Sequence, residues 1–195
     1  YRQVSGRLQQ LDATGHSTNK VELIVMGGDW CSKSKEYRET FVKGCLDAMN
    51  GTKSENLEEA QQQNETSVIR NVGITFETRP DMVTPENIDD MLRLGATRVE
   101  IGVQTLSNDI LEYVDRGHST RETALATQLL RDSGLKVCYH LMPGLPGSNL
   151  EDDLKVFDEI FEDERYRPDM LKIYPTIVVK NTKLYEWWKK GEYEP

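Results

Sequence analysis

Glu100, Gly102 and Gln104 alternate along RVEIGVQT (98–105), with Val99, Ile101 and Val103 between them. In an extended strand, alternate residues share a face. One face is therefore apolar and suited to packing on helices. The other carries a carboxylate, a bare backbone position and an amide. Burying a carboxylate and an amide is unfavourable unless they are paired or hold a ligand, so this strand points to a polar interior. Other strand ends carry comparable groups. VELIVM (21–26) runs into Gly27, Gly28 and Asp29. Two glycines let backbone approach a ligand closely, and the carboxylate suits an ammonium; the same three residues also make a plain turn. VGITFET (72–78) ends with Glu77, and Arg79 follows on the same side. That pair suits a zwitterion or a ribose, or each other. Arg116, in Asp115-Arg116-Gly117-His118, is placed to reach back toward the strand ends, and His118 falls near a helix start. VCYHLMPGLPG (137–147) reads as a buried strand that carries His140 and closes in Pro143, Gly144, Pro146 and Gly147. Such a run of punctuators turns the chain sharply, either beside a ligand or as an ordinary strand–helix loop.

The elements that position these residues alternate. Strands are expected at 21–26, 72–78, 98–105, 137–142 and 170–179, the last shortened by Pro175. Helices are expected at 3–13, 35–49, 57–69, 85–94, 107–114, 120–133, 150–161 and 182–190. Thr84 and Pro85 make a helix start, and Gly95 and Gly134 make left-handed helix ends. Alternating strands and helices predict a parallel sheet with right-handed crossovers, in which ligands sit at the C-terminal strand ends. The chain opens on a helix, so a preceding strand is expected in a larger barrel.

The 195 residues suffice for one domain with a core, and 37% hydrophobic content marks a globular chain. No apolar run reaches the roughly 20 residues of a membrane helix, and the N-terminus lacks a signal-peptide core. Cys31, Cys45 and Cys138 are odd in number and far apart, which favours reduced thiols in a reducing, cytoplasmic compartment. Histidine pairs are absent, so a His-rich metal site is not expected. The net charge of −9 argues against an autonomous nucleic-acid binder, because phosphate attraction needs clustered Lys and Arg.

The ordered set GHSTNKVELIVMGG, GITFETRPD, LGATRVEIGVQT, DRGHS, KVCYHLMPGLPGS and RPDMLKIYPTIVV with LYEWWKKGEYEP resembles the radical S-adenosylmethionine (radical SAM) enzymes. More narrowly, it resembles the Elongator catalytic-subunit group with its archaeal and bacterial relatives. That resemblance implies an α/β fold, a partial (βα)6 TIM-like barrel lacking its N-terminal strand and cluster loop. Residues 1–195 would be a partial radical SAM core, with an acetyltransferase-like domain outside this chain. Gly27 and Gly28 would receive the methionine end of SAM. Glu77, Gln104, Arg116 and His140 sit where relatives hold SAM, His140 replacing what is often an acidic residue. Asp29 departs from the small hydroxyl residue expected there. Lys20 matches a lysine used toward acetyl-CoA, a point charge suited to a CoA phosphate. The resemblance leaves catalytic residues unassigned. The implied cofactors are SAM, a 4Fe-4S cluster and acetyl-CoA. The implied reaction is that of a transferase: acetyl-CoA and SAM yield 5-carboxymethyluridine at the wobble position of tRNA. Expected partners are tRNA, mainly through regions outside this chain, and other Elongator subunits, with no membrane. The cluster cysteines would lie upstream of Tyr1, since the three cysteines present lack the spacing; this fragment alone would be inactive. Two alternatives stand beside this reading: a catalytically silent acetyl-CoA-binding or scaffold module, and another radical SAM enzyme such as a porphyrin-precursor oxidase.

Overall fold

A computed structural model describes residues 1–195. In chain order the elements are α1 (Arg2–Ala13), β1 (Lys20–Val25), α2 (Lys35–Asn50), α3 (Leu57–Thr66), β2 (Arg70–Thr78), α4 (Pro85–Arg93), β3 (Ala96–Gln104), α5 (Asn108–Tyr113), α6 (Thr120–Asp132), β4 (Lys136–Leu141), α7 (Leu150–Glu162), β5 (Met170–Ile173) and α8 (Lys183–Lys189). Short 3-10 turns occupy Trp30–Ser32 and Pro80–Met82. The strands form one sheet in the order β1-β2-β3-β4-β5, parallel at β1–β2 and at β4–β5. Sequential order is what successive strand–helix–strand units produce; a doubly wound sheet would reverse direction at a switch point. The expected fifth strand stops at Ile173. Pro175 has no N–H to donate, yet the N–H groups on either side still reach the β4 segment: Tyr174 N to Leu141 O at 2.8 Å and Thr176 N to Pro143 O at 2.9 Å.

The chain divides into two compact units, 1–78 with 85–99, and 79–84 with 100–195. In the first, α2 turns Val42, Cys45, Leu46 and Met49 inward, the spacing of one helical stripe. Ala60, Phe76, Met91 and Leu94 complete that core with no exposed surface. Arg38 lies on the same stripe and pairs with buried Asp90 of α4, Nη1 to Oδ2 at 3.2 Å. Gly95 ends α4 at φ +91°, a backbone state that favours glycine. In the second unit Ile101 and Val103 of β3, Val137 and Tyr139 of β4, Leu130 of α6 and Ile160 of α7 are fully buried. The Tyr139 hydroxyl meets the Thr127 hydroxyl on α6, and burial pushes its proton affinity well above that of an ordinary phenol. α6 opens on a capping box in which the Ser119 and Glu122 side chains satisfy each other's backbone N–H groups. That box fixes where the preceding Asp115–His118 loop ends. No helix is long and apolar enough to cross a membrane.

Candidate functional site

The first unit shapes a glycine loop after β1. Gly27 and Gly28 adopt φ +122° and +107°, and an added Cβ at either would meet nothing within 4 Å. The requirement for glycine is thus conformational rather than steric. The Gly27 N–H donates to Glu77 Oε2 at 3.2 Å, joining the loop to the end of β2. Asp29 uses one carboxylate oxygen within the loop. Its Oδ1 accepts from Cys31 N at 3.1 Å and from the Thr78 hydroxyl at 2.7 Å, so it caps the 3-10 turn and ties the loop to β2. Trp30, which sequence reasoning missed, is 5% exposed and stacks on Phe76 at 4.7 Å and 12°. Phe41 meets it edge-on at 5.6 Å. An isolated aromatic after Gly-Gly-Asp carries no sequence signal; only the fold shows that it anchors the loop. Asp29→Ala is expected to destabilise the protein by about 1–2 kcal/mol, because it orphans one hydroxyl and one N–H. An unchanged midpoint in thermal unfolding would contradict that anchoring role.

Lys20 is the first residue of β1, exposed and registered with Arg70. At a strand rise of about 3.3 Å per residue it stands about 20 Å from Gly27. The structure therefore brings Gly27, Gly28 and Glu77 together and leaves Lys20 at the other end of the strand.

The second unit assembles Gly102, Gln104 and Arg116. Arg116 Nη2 donates to the Gly102 carbonyl at 3.0 Å. An added Cβ on Gly102 would stand 2.7 Å from that nitrogen and 2.9 Å from Gln104 Nε2, so both side chains occupy the space glycine leaves. Gln104 sits at φ +70° at the end of β3. A non-glycine residue there stores of order 1–3 kcal/mol of strain, which persists only where the surroundings impose it. Gln104 Oε1 and Arg116 Nε are buried polar atoms without a hydrogen-bond partner. Burial, then the nearby Arg79 charge, lowers the proton affinity of Arg116, with Asp81 opposing. Arg79 itself grips Asp81 through two nitrogens at 2.9 and 2.6 Å, the partner that sequence reasoning did not name. Gly117, at φ +71°, leaves room for that guanidinium, since a Cβ there would stand 3.2 Å from Arg79 Nη2. An orphan donor on a buried guanidinium beside an orphan acceptor fits a ligand bearing a carboxylate and polar edges. His118 is structural: it is buried with Nε2 3.3 Å from the Val103 carbonyl, so that nitrogen carries the proton, and burial followed by Arg116 holds it below the usual imidazole range.

His140 belongs to a second cluster in this unit. Glu100 is 1% exposed, and its Oε2 accepts from His140 Nε2 at 2.7 Å and from Lys172 Nζ at 2.5 Å. Burial pushes the Glu100 carboxyl up, but the hydrogen bonds from Lys172 and His140 outweigh it and hold the group below the usual carboxylate range. The Tyr174 ring lies 5.3 Å from the His140 ring. Donor atoms of Glu100, Cys138 and His140 lie within 4.8 Å of one another. The Lys172 ammonium and His140 share the one carboxylate oxygen, so these groups form an ion network. Lys172 was absent from the sequence-predicted residues. Its signal was the alternation of Lys172 and Tyr174 in LKIYPT.

Two other features stand apart, a groove in the second unit and the cysteines. A groove of about 800 Å³ includes Arg121, Gln128, Arg131, Arg165 and Arg167, and none of the predicted residues borders it. Two of its arginines are committed: Arg165 clasps Asp163, and Arg167 caps the Phe161 and Glu162 carbonyls at the end of α7. The three cysteines are all buried, and burial raises the thiols of Cys31 and Cys45.

Residues 14–160 match the radical SAM superfamily, and residues 168–195 match the radical SAM C-terminal domain. The chain belongs to the radical SAM superfamily. Its α/β fold is accordingly that of a partial TIM-like barrel. Among curated relatives, the chain is 56% identical to a tRNA uridine(34) acetyltransferase of Methanocaldococcus jannaschii, over all of this chain and 36% of that protein. It is 44% identical to Elongator complex protein 3 of Homo sapiens, over all of this chain and 36% of that protein. The chain thus spans about a third of the length of these relatives. Among solved structures, an N-terminally truncated archaeal Elp3 from Methanocaldococcus infernus superposes with a TM-score of 0.98 at 54% identity, covering all of this chain and 46% of that one. Coproporphyrinogen III oxidase from Escherichia coli superposes at 0.59 with 16% identity, over 92% of this chain and 37% of that one, a likeness of fold alone.

Proposed function

We propose that this chain is the SAM-binding core of a tRNA-modifying transferase that uses acetyl-CoA to form 5-carboxymethyluridine at the wobble position. The observation that carries the reading is the Gly102 cradle, where Arg116 and Gln104 converge with one buried donor and one buried acceptor left for a ligand. In this reading the Arg116 guanidinium receives the SAM carboxylate, and Gly27, Gly28 and Glu77 are assigned to SAM on the sequence resemblance. Gln104 contributes an amide to a polar edge, and His140 borders the same ligand. Bound SAM, reductively cleaved at a 4Fe-4S cluster, supplies a radical able to abstract hydrogen; the protein supplies position and exclusion of water. The cluster's ligands come from outside this chain's own cysteines. Lys20, at the far end of β1, meets a phosphate of acetyl-CoA as a point charge, apart from the SAM residues. Two relatives are named for uridine 34 and for Elongator, which supports tRNA as substrate, other Elongator subunits as partners and a cytoplasmic setting. The porphyrin-precursor alternative gains no support from the coproporphyrinogen oxidase neighbour, which at 16% identity shows fold alone.

The test is anaerobic iron–sulfur reconstitution of the full-length protein, followed by an assay of SAM cleavage with and without tRNA and acetyl-CoA. Cleavage stimulated by tRNA, with carboxymethyluridine formed, is the expected result. A reconstituted protein that neither cleaves nor binds SAM would overturn it.

A further inference from the structure

We propose that the exposed face of β1 seats the arm of an acyl-CoA: Lys20 and Arg70 together hold the phosphate that carries the pantetheine, and the arm lies over Ile24 and Met26 with its acyl end at the glycine loop. The inference rests on the proposed function for the acyl-CoA class and for Lys20; Arg70 and the path along β1 follow from the geometry.

Three observations carry it. The first is a pair of cations. β1 and β2 run parallel with Lys20 registered against Arg70, and the Arg70 N–H donates to the Asn19 carbonyl at 3.1 Å, which fixes the two strand starts side by side. Registered residues of neighbouring strands point to the same face, about 5 Å apart at the backbone. Both side chains are exposed, and neither is held by an ion pair within the chain. Like charges placed opposite each other on a sheet are unfavourable. A phosphate between them reverses the sign of that interaction, with the guanidinium offering paired donors and the ammonium a point charge.

The second observation is an apolar path that leads away from the pair. Lys20, Glu22 and Ile24 alternate on the exposed face of β1, and Met26 continues the alternation. Ile24 is 40% exposed and Met26 60%, side chains suited to the methyl and methylene groups of a pantetheine arm. Glu22, between Lys20 and Ile24, is turned to Arg98 at 3.8 Å. The third observation is length. From that phosphate to the acetyl methyl the arm has about 15 bonds, which at roughly 1.2 Å per bond in an extended chain span about 18 Å. Lys20 stands about 20 Å from Gly27 along the strand. A phosphate at the Lys20–Arg70 pair therefore delivers the acyl end to the loop that the proposed function assigns to SAM. A cavity of about 100 Å³ bordered by Met26, Gly27 and Gly28 lies at that end. Its size suits a short acyl group, since larger ligands need several times that volume.

The test follows Lys20 by chemical footprinting and needs neither a cluster nor tRNA. The full-length protein is treated with formaldehyde and a borohydride reductant at fixed pH. Methylation of Lys20 is measured by mass spectrometry against exposed Lys53 over a series of phosphopantetheine concentrations. Phosphopantetheine should shield Lys20, whereas pantetheine, which has the arm without the charge, should not. Arg70→Gln should raise the concentration for half-shielding about tenfold, the loss of one charge-assisted contact. Arg70→Lys keeps the charge and should raise it no more than about threefold, which also covers the case in which Arg70→Gln fails to fold. Ile24→Thr keeps a strand-forming residue, removes apolar contact and should raise it about threefold. Equal shielding in wild type and Arg70→Gln, or equal shielding by pantetheine, would overturn the phosphate pair. Wild-type shielding in Ile24→Thr would overturn the path. If the reconstituted enzyme forms no carboxymethyluridine while Lys20 is still shielded, the proposed function fails and this site stands; product formation with Lys20 unshielded gives the reverse.

Discussion

Replacing Gly102 by alanine is expected to weaken SAM binding by the full-length enzyme about a hundredfold while leaving the fold intact. The added methyl group would lie 2.7 Å from Arg116 Nη2 and 2.9 Å from Gln104 Nε2, closer than side-chain carbons and nitrogens approach. Both intruded atoms are tips of long side chains. They can swing away, so stability changes little. The ligand geometry does not survive that movement, because Arg116 loses its hold on the Gly102 carbonyl and is pushed within a region already shared with Arg79. Hydrogen bonds to charged groups contribute about 1.5–3 kcal/mol each, so misplacing the guanidinium and the amide together removes of order 3 kcal/mol, about two orders of magnitude in affinity. Titration calorimetry with SAM measures it directly. Gly73→Ala is the control: its Cβ would meet Thr97 Oγ1 at 3.0 Å in the first unit, clear of Arg116 and Gln104. Equal affinities for wild type and Gly102→Ala would remove Arg116 and Gln104 from the SAM site.

The polar face of β3 was legible because period-two alternation survives burial: Glu100, Gly102 and Gln104 share a face as the pleat requires. What each group does was not legible, because partners come from elements distant in sequence. Glu100 meets Lys172 across 72 positions and His140 across 40. Asp29 shows the same limit: its type and place after two glycines suited an ammonium, and the structure adds that its Oδ1 accepts from Cys31 N and the Thr78 hydroxyl, a local role its position did not reveal. Short polar side chains bond nearby backbone when the turn allows it, and that competition is invisible in composition. Element ends were read within a few residues, except at β5, where Pro175 shortened the strand more than expected. His118 was legible as structural from its place before a helix start, and the carbonyl it bonds agrees.

Arg38→Met is expected to cost about 3 kcal/mol of stability, the low end for removing one partner of a buried pair. Sequence periodicity places position 38 on the apolar stripe with Val42, Cys45 and Met49, where a hydrophobic residue would be the default. The structure instead buries a guanidinium there, 3% exposed, against Asp90 at 5%. Asp90 retains one other cation, Arg93, at 3.1 Å, but that side chain is 47% exposed and shared with Glu39. Methionine would therefore leave a buried carboxylate with only a solvent-screened partner. Arg38→Met combined with Asp90→Leu should restore most of the loss, since two well-packed apolar side chains replace a buried ion pair at little net cost. Denaturant titration of the full-length protein and both variants measures this; a loss below about 1 kcal/mol in the single variant would show that solvent reaches the pair. The effect extends to the candidate site, because the Cys31 thiol in the turn behind Gly27 and Gly28 lies within the electrostatic reach of both Arg38 and Asp90. A charge left unbalanced there acts on the turn whose Asp29 cap and Trp30 stack hold the glycine loop in place.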